Sequence, residues 1–262
     1  MQIGAMNNPA LPVEIEVERI GRAGFDFVDL TMEGPAATHF DIRAVKGLLE
    51  QHNLGVVGHT DPVLPWAYPV EGIRRACFDE LCRCADIFAG LGAKIMNIHP
   101  CYAAPPAARG KIVEYNAAAI VPIAEAAAQR GLVLALENFL PPFAGTETFG
   151  LLFEAAPALK LHLDTGHCAL GGDSVAAFCK AFGQRLVHVH CSDNRGRADD
   201  HMPLGAGSID WQQVVRALQK ASYNSSVTLE VFCGDAGMGA IYLAQSREYF
   251  SRLWNEAAYH CP

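Results

Sequence analysis

The chain has 262 residues, of which 51% are hydrophobic and 18% charged, enough for one large domain with a sizeable core. A net charge of −8 excludes a broad basic face and argues against nucleic acid as a partner, although a local basic loop can still hold phosphate. Nine cysteines without a disulfide rhythm fit a reducing cytoplasm, and no apolar stretch approaches the ~20 residues of a membrane span. The opening Met1–Met6 has no basic segment before a long apolar run, so no signal peptide is expected.

Along the chain a short apolar run, a loop and a longer amphipathic stretch repeat. Strands are expected at Gln2–Met6, Phe25–Thr31, Leu54–His59, Lys94–His99, Leu132–Glu137, Leu159–Asp164, Arg185–His190 and Ser226–Val231. Helices are expected at Val13–Ala23, Phe40–His52, Val70–Leu91, Arg109–Arg130 and Thr148–Ala156, with further helical stretches after the seventh and eighth strands. Gly24, Gly92 and Gly131 punctuate helix-to-strand turns. Cys82 and Cys84, one residue apart in a helical stretch, lack zinc-knuckle spacing and read as small buried hydrophobes. Eight β/α alternations favour a parallel sheet covered by helices. The fold class is α/β, a (β/α)8 TIM barrel, which typically takes about 250 residues. With no linker, charge block or low-complexity segment, residues 1–262 read as a single domain.

In such a barrel all strand C-termini meet at one face. The predicted strands end there in His59, His99, Glu137, Asp164, His190 and Glu230, and the following loops add His167, Asp199 and His201. Five of the ten histidines therefore fall on one rim. The stretch His162–Cys168 is the most telling: a buried strand ends in Asp164, runs into a loop and meets His167 three residues later. A carboxylate and an imidazole so placed suit a divalent metal. Glu137 and Glu230 each follow a buried apolar strand, where a carboxylate without a partner is costly. His162 and His188 share the sense of Asp164 and His190 and read as core polar groups or supporting donors. His39, His52 and His260 read as surface residues.

These motifs resemble those of the xylose-isomerase-like barrels, a superfamily that also includes endonuclease IV (AP endonuclease family 2). The similarity rests on Leu136–Asn138, Asp164–His167, His190–Asp193 and His201–Trp211 and covers nearly the whole chain. The resemblance implies that Glu137, Asp164, His190 and Glu230 hold a catalytic divalent metal, as in the sugar isomerases and epimerases. It further implies that His59, His99, His167, Asp199 and His201 match the additional ligands of the trinuclear zinc site in the endonuclease branch. One to three ions per chain follow, with Mn²⁺ or Zn²⁺ as the candidates.

Two chemistries compete on this rim. With one metal, the chain is a sugar or sugar-phosphate isomerase or epimerase working through a metal-stabilised enediolate, and the resemblance makes Glu137 and Glu230 the acid/base pair. With several metals, it is a phosphoesterase of the endonuclease IV type, on a small phosphoester rather than on abasic DNA. The endonuclease branch carries an aromatic and apolar wedge after its first rim histidine, whereas here His59 is followed by Thr60-Asp61-Pro62-Val63 and no aromatic before Trp66. Ala5-Met6-Asn7-Asn8 and Leu30-Thr31-Met32-Glu33 also look more like the small-molecule members. The isomerase or epimerase is the leading reading; a barrel that binds without turnover is a third class that nothing in the sequence favours.

For the substrate, Glu33 is a candidate hydroxyl acceptor, and Trp66, Tyr102 and Phe139 are candidate stacking rings. A phosphate site is expected, if anywhere, at the glycine-rich turn Gly234–Gly239, including Gly237, with Arg195 and Arg197 nearby; Asp235 would oppose it. A homo-oligomer is compatible with all of this.

Overall fold

A computed structural model describes residues 1–34 and 36–258. Strands β1 (Gln2–Met6), β2 (Phe27–Met32), β3 (Gly55–Thr60), β4 (Ile95–Ile98), β5 (Val133–Glu137), β6 (Lys160–Asp164), β7 (Leu186–Cys191) and β8 (Ser226–Leu229) pair in sequence order and close into a barrel. All pairings are parallel, and β8 closes on β1 in the register Gln2↔Ser226 to Ala5↔Leu229. The helices are α1 (Val13–Arg22), α2 (Ile42–His52), α3 (Glu71–Gly90), α4 (Ile112–Gln129), α5 (Thr146–Ala155), α6 (Thr165–Cys168), α7 (Val175–Phe182), α8 (Trp211–Lys220) and α9 (Ala236–Ala258). None is long and apolar enough to cross a membrane.

Local sequence sets these boundaries. In α1, Val13, Val17 and Ile20 recur at helical spacing and are all buried, while Glu14 and Arg22 face outward. Asp41 starts α2 by accepting from the Arg43 and Ala44 amides, and Asp210 starts α8 by accepting from Gln213. Gly92 and Gly131 end α3 and α4 at φ of 90° and 73°, a conformation a side chain resists. The main core lies between the outward strand faces and the helices, where Phe88, Phe149, Phe178, Trp211 and Phe250 are buried.

Most differences from the expected boundaries are one or two residues at strand and helix ends. The predicted helix from Arg109 begins instead as a 3₁₀ segment over Pro106–Lys111, because Pro105 and Pro106 fix φ but withhold N–H donors. Strands β4 and β8 stop one residue short of His99 and Glu230, which lead into the rim loops. The chain after Asp164 is not an open loop. Asp164 caps the single turn α6, its Oδ1 accepting the His167 amide at 2.5 Å, and this turn folds His167 back toward the strand ends. His39 is exposed as expected, whereas His52 is half-buried against Glu18 at 2.9 Å. His260 lies outside the described residues.

Candidate metal centre and cavity

Alternation along the strands sends Glu137, Asp164 and His190 inward at the C-terminal rim, where all three are buried. A ligand atom from each lies within 4.8 Å of the others. Glu230 joins them through His190, whose Nδ1 is 3.0 Å from its Oε2. A second group, His59, His99 and Glu137, meets the same spacing. Four imidazoles crowd Glu137: His162 Nδ1 at 3.1 Å, His99 and His167 at 3.2 Å, and His59 at 3.6 Å. On the far side Asp199 Oδ2 lies 3.1 Å from His167 Nε2 and 3.4 Å from His201 Nε2. All nine residues singled out as candidate ligands thus converge.

Burial and neighbouring charges shift the ionisable groups of this cluster in opposite directions. Burial alone would raise the Glu137 carboxyl, but His162 and His99 hold it well below the usual carboxylate range. Glu230 is likewise kept low against burial by His190. The Asp164 carboxyl is pushed up to about 7, first by burial and then by Glu137 and Glu230, despite the opposing pull of His167. Burial and the neighbouring His99 push the His59 imidazole down to about 4, so it is neutral. Asp164 Oδ2 is buried and has no hydrogen-bond partner among the described residues, and Glu137 Oε2 is buried with only imidazole nitrogens around it. Orphaned buried carboxylate oxygens are costly. Carboxylate and imidazole donors with such an oxygen fit a divalent cation.

Supporting contacts fix the shell. The Asn138 side chain accepts the Asp164 amide at 2.7 Å and donates to the Asp164 carbonyl at 3.0 Å, tying β5 to β6. Asp193, fully buried, accepts from the amides of Gly205 and Ile209 and from the Trp211 indole, organising the segment beyond His201. Sequence reasoning missed Asp29, which is fully buried and meets His188 and His190 at 3.0 and 2.7 Å. The signal was present: an aspartate on an inward position of the otherwise apolar strand Phe27-Val28-Asp29-Leu30.

Above the cluster opens a cavity of about 560 Å³, lined by His59, His99, His167, Asp199, His201 and Glu230. Glu33 also lines it, its carboxyl raised by burial and by Asp61 and Glu230. Met6, Val63, Tyr102, Phe139 and Phe232 supply an apolar wall. Three of the substrate candidates fall elsewhere. Trp66 is not a stacking platform: it is 4% exposed and spends its indole N–H on the His99 carbonyl at 3.0 Å. Arg195 is exposed and outside the cavity lining, because Asn194 turns inward to bind the Gly166 carbonyl and leaves the next residue outside. Gly237 is exposed in the first turn of α9, where Asp235 accepts the Met238 amide at 2.8 Å and so occupies a donor that phosphate would need.

Comparison with known proteins agrees with this architecture. The family model described as xylose isomerase-like TIM barrel matches residues 17–253. An L-ribulose 3-epimerase of Methylomonas sp. (strain DH-1) is 28% identical over 230 residues, covering 82% of this chain and 76% of that protein. A ketose 3-epimerase of Arthrobacter globiformis is 27% identical over 240 residues, covering 84% of this chain and 78% of that protein. The crystal structure of a D-tagatose 3-epimerase-like protein superposes with a TM-score of 0.86 at 20% identity, over 98% of this chain and 100% of that one.

Proposed function

Because the chain belongs to the xylose isomerase-like TIM barrel family, we propose that it is a divalent-metal-dependent epimerase or isomerase acting on a neutral sugar by proton transfer through an enediolate. The observation that carries this reading is the pairing of Glu137 and Glu230, both held low against burial, around Asp164 and His190 beneath a sugar-sized cavity. Relatives that are ketose 3-epimerases support it.

Glu137, Asp164, His190 and Glu230 would hold the metal. A bound divalent ion polarises neighbouring carbonyl and hydroxyl oxygens and so acidifies the carbon-bound proton between them. The chain's own part is the proton. Epimerisation needs one carboxylate to take that proton and a second, which has drawn a proton from solvent, to return one to the opposite face, the first then releasing its proton to solvent. Glu137 and Glu230 come from β5 and from the end of β8, so they approach the centre from different sides of the barrel. Phe139 and Phe232, two residues beyond each, cover the approach with apolar surface, and Glu33 is placed to accept a sugar hydroxyl.

The cavity wall favours a neutral substrate over a phosphorylated one. Glu33, Asp199 and Glu230 line it, and among the described residues no lysine or arginine does. A phosphate would meet carboxylates there.

The outer residues support a second reading, a multinuclear phosphoesterase: His59, His99 and Glu137 group closely, and Asp199 lies between His167 and His201. Variants separate the two. His59→Ala should change epimerase turnover by less than about tenfold, whereas Glu230→Gln should abolish it. Equal loss in both variants would move the assignment to the multinuclear chemistry.

A further inference from the structure

Closed (β/α)8 barrels usually fill their interior with branched apolar side chains. Directly beneath the candidate metal centre this barrel is polar instead: Asp29, Asn97, His162, His188, Ser226 and Thr228 are all buried. Packing alone is served better by apolar residues, since ionisable groups in a core lose hydration. Within this layer the contacts concentrate on one atom. Asp29 Oδ2 accepts from Thr228 Oγ1 at 2.8 Å and meets His190 Nε2 at 2.7 Å and His188 Nε2 at 3.0 Å. His188 is pinned from its other side, Nδ1 lying 2.7 Å from Ser226 Oγ. Elements β2, β7 and β8 thus converge on a single carboxylate.

His190 has one nitrogen for each task. Its Nε2 faces Asp29 at 2.7 Å and its Nδ1 faces Glu230 at 3.0 Å, and a nitrogen of the same ring lies within 4.8 Å of ligand atoms of Glu137 and Asp164. We propose that Asp29 is a positioning residue for the metal centre: its carboxylate accepts a hydrogen bond from the Nε2–H of His190, fixing the tautomer in which Nδ1 would be the nitrogen left to bind the ion, while His188, braced by Ser226 and Thr228, holds Asp29 in place. A carboxylate behind a metal-bound imidazole fixes its tautomer and raises its basicity, and loss of such a partner typically weakens metal affinity by about 10–100-fold. The inference rests on the reading that His190 binds metal, and it assigns Asp29 a positioning role behind that ring.

The test is Mn²⁺ and Zn²⁺ affinity, measured on chelator-stripped protein by competition with a chromophoric chelator, alongside the melting temperature of each metal-free variant. Asp29→Asn keeps the volume and one acceptor but loses the charge; it should bind metal about 10–100-fold more weakly. Asp29→Glu should recover part of the loss. Asn97→Ser, in the same layer but with neither side-chain polar atom hydrogen-bonded, should bind within twofold of wild type. Should Asp29→Asn fail to fold, His188→Gln leaves the carboxylate intact and should still weaken binding severalfold. A folded Asp29→Asn that melts lower yet binds metal as wild type does would reduce Asp29 to a packing role and overturn the proposal. Wild-type protein that binds neither ion would instead overturn the metal reading of His190, and the proposal with it.

Discussion

Asp164 is the residue at which stability and metal binding should pull in opposite directions. Its side chain is 1% exposed; Oδ1 caps α6 and Oδ2 has no hydrogen-bond partner among the described residues. Its carboxyl is raised from 3.8 to about 7, by burial first and by Glu137 and Glu230 after it. At pH 8 the metal-free fold must therefore hold an ionised group that its surroundings disfavour, at a cost on the order of a few kcal/mol. Asp164→Asn keeps an oxygen for the His167 amide and removes the charge. Allowing for the desolvated amide, the metal-free variant should gain roughly 2–4 kcal/mol at pH 8, or about 5–15 °C in melting temperature for a chain of this size. The same variant should lose the stabilisation that saturating Mn²⁺ or Zn²⁺ gives wild type, because a cation has lost its carboxylate. Thermal melts with and without metal at pH 8 read both effects. A metal-free variant that melts several degrees below wild type would refute the electrostatic reasoning, and an undiminished metal-induced rise would refute Asp164 as a ligand.

Other outcomes follow from the same geometry. Since folded Asp164 takes up a proton near pH 7 while its unfolded counterpart does so near 3.8, its contribution to metal-free stability should fall as pH rises from about 4 to 7, and metal must displace that proton below pH 7. Apparent affinity should then rise with pH up to about 7, by as much as tenfold per unit from this group alone, as titration calorimetry at several pH values will show. Trp66→Phe removes the indole donor from the His99 carbonyl and should cost about 1 kcal/mol in stability by denaturant unfolding. Glu137→Gln and Glu230→Gln should each lower deuterium exchange into a ketose by at least about 10³-fold with circular dichroism unchanged, as expected for loss of an acid/base group. Retained exchange in both variants would remove the proposed proton relay.

The fold was legible because each β/α unit carries its own periodicity and punctuation, so the barrel emerged from eight repeats of one pattern. The rim was legible for a related reason: in a parallel barrel a strand-end residue has only one face on which to appear. The six strand-end residues can be grouped from strand order alone, whereas His167, Asp199 and His201 lie in the connections after the strands and are matched to ligands through the family resemblance. The misplaced residues are those whose side-chain direction depends on tertiary contacts. Trp66 sits in the loop after β3, and only the folded chain shows its N–H turned to His99. Gly237 looked like a phosphate cradle because a glycine-rich turn does not reveal that Asp235 accepts a backbone amide there. Asp29 was overlooked for the opposite reason: one polar residue in an apolar strand has no sequence partner, and His188 and His190 lie about 160 residues away, as the separations of 159 and 161 show.

The central claim is proton transfer at a carbon of a neutral sugar. It is tested most directly by incubating the metal-loaded wild-type protein with free ketoses in D₂O and following both epimer formation and carbon-bound hydrogen by NMR. The account predicts an epimeric product carrying deuterium at the carbon adjacent to the carbonyl, abolished by chelator and restored by Mn²⁺ or Zn²⁺. No label in any ketose, together with metal-dependent release of phosphate from a small phosphomonoester, would contradict it.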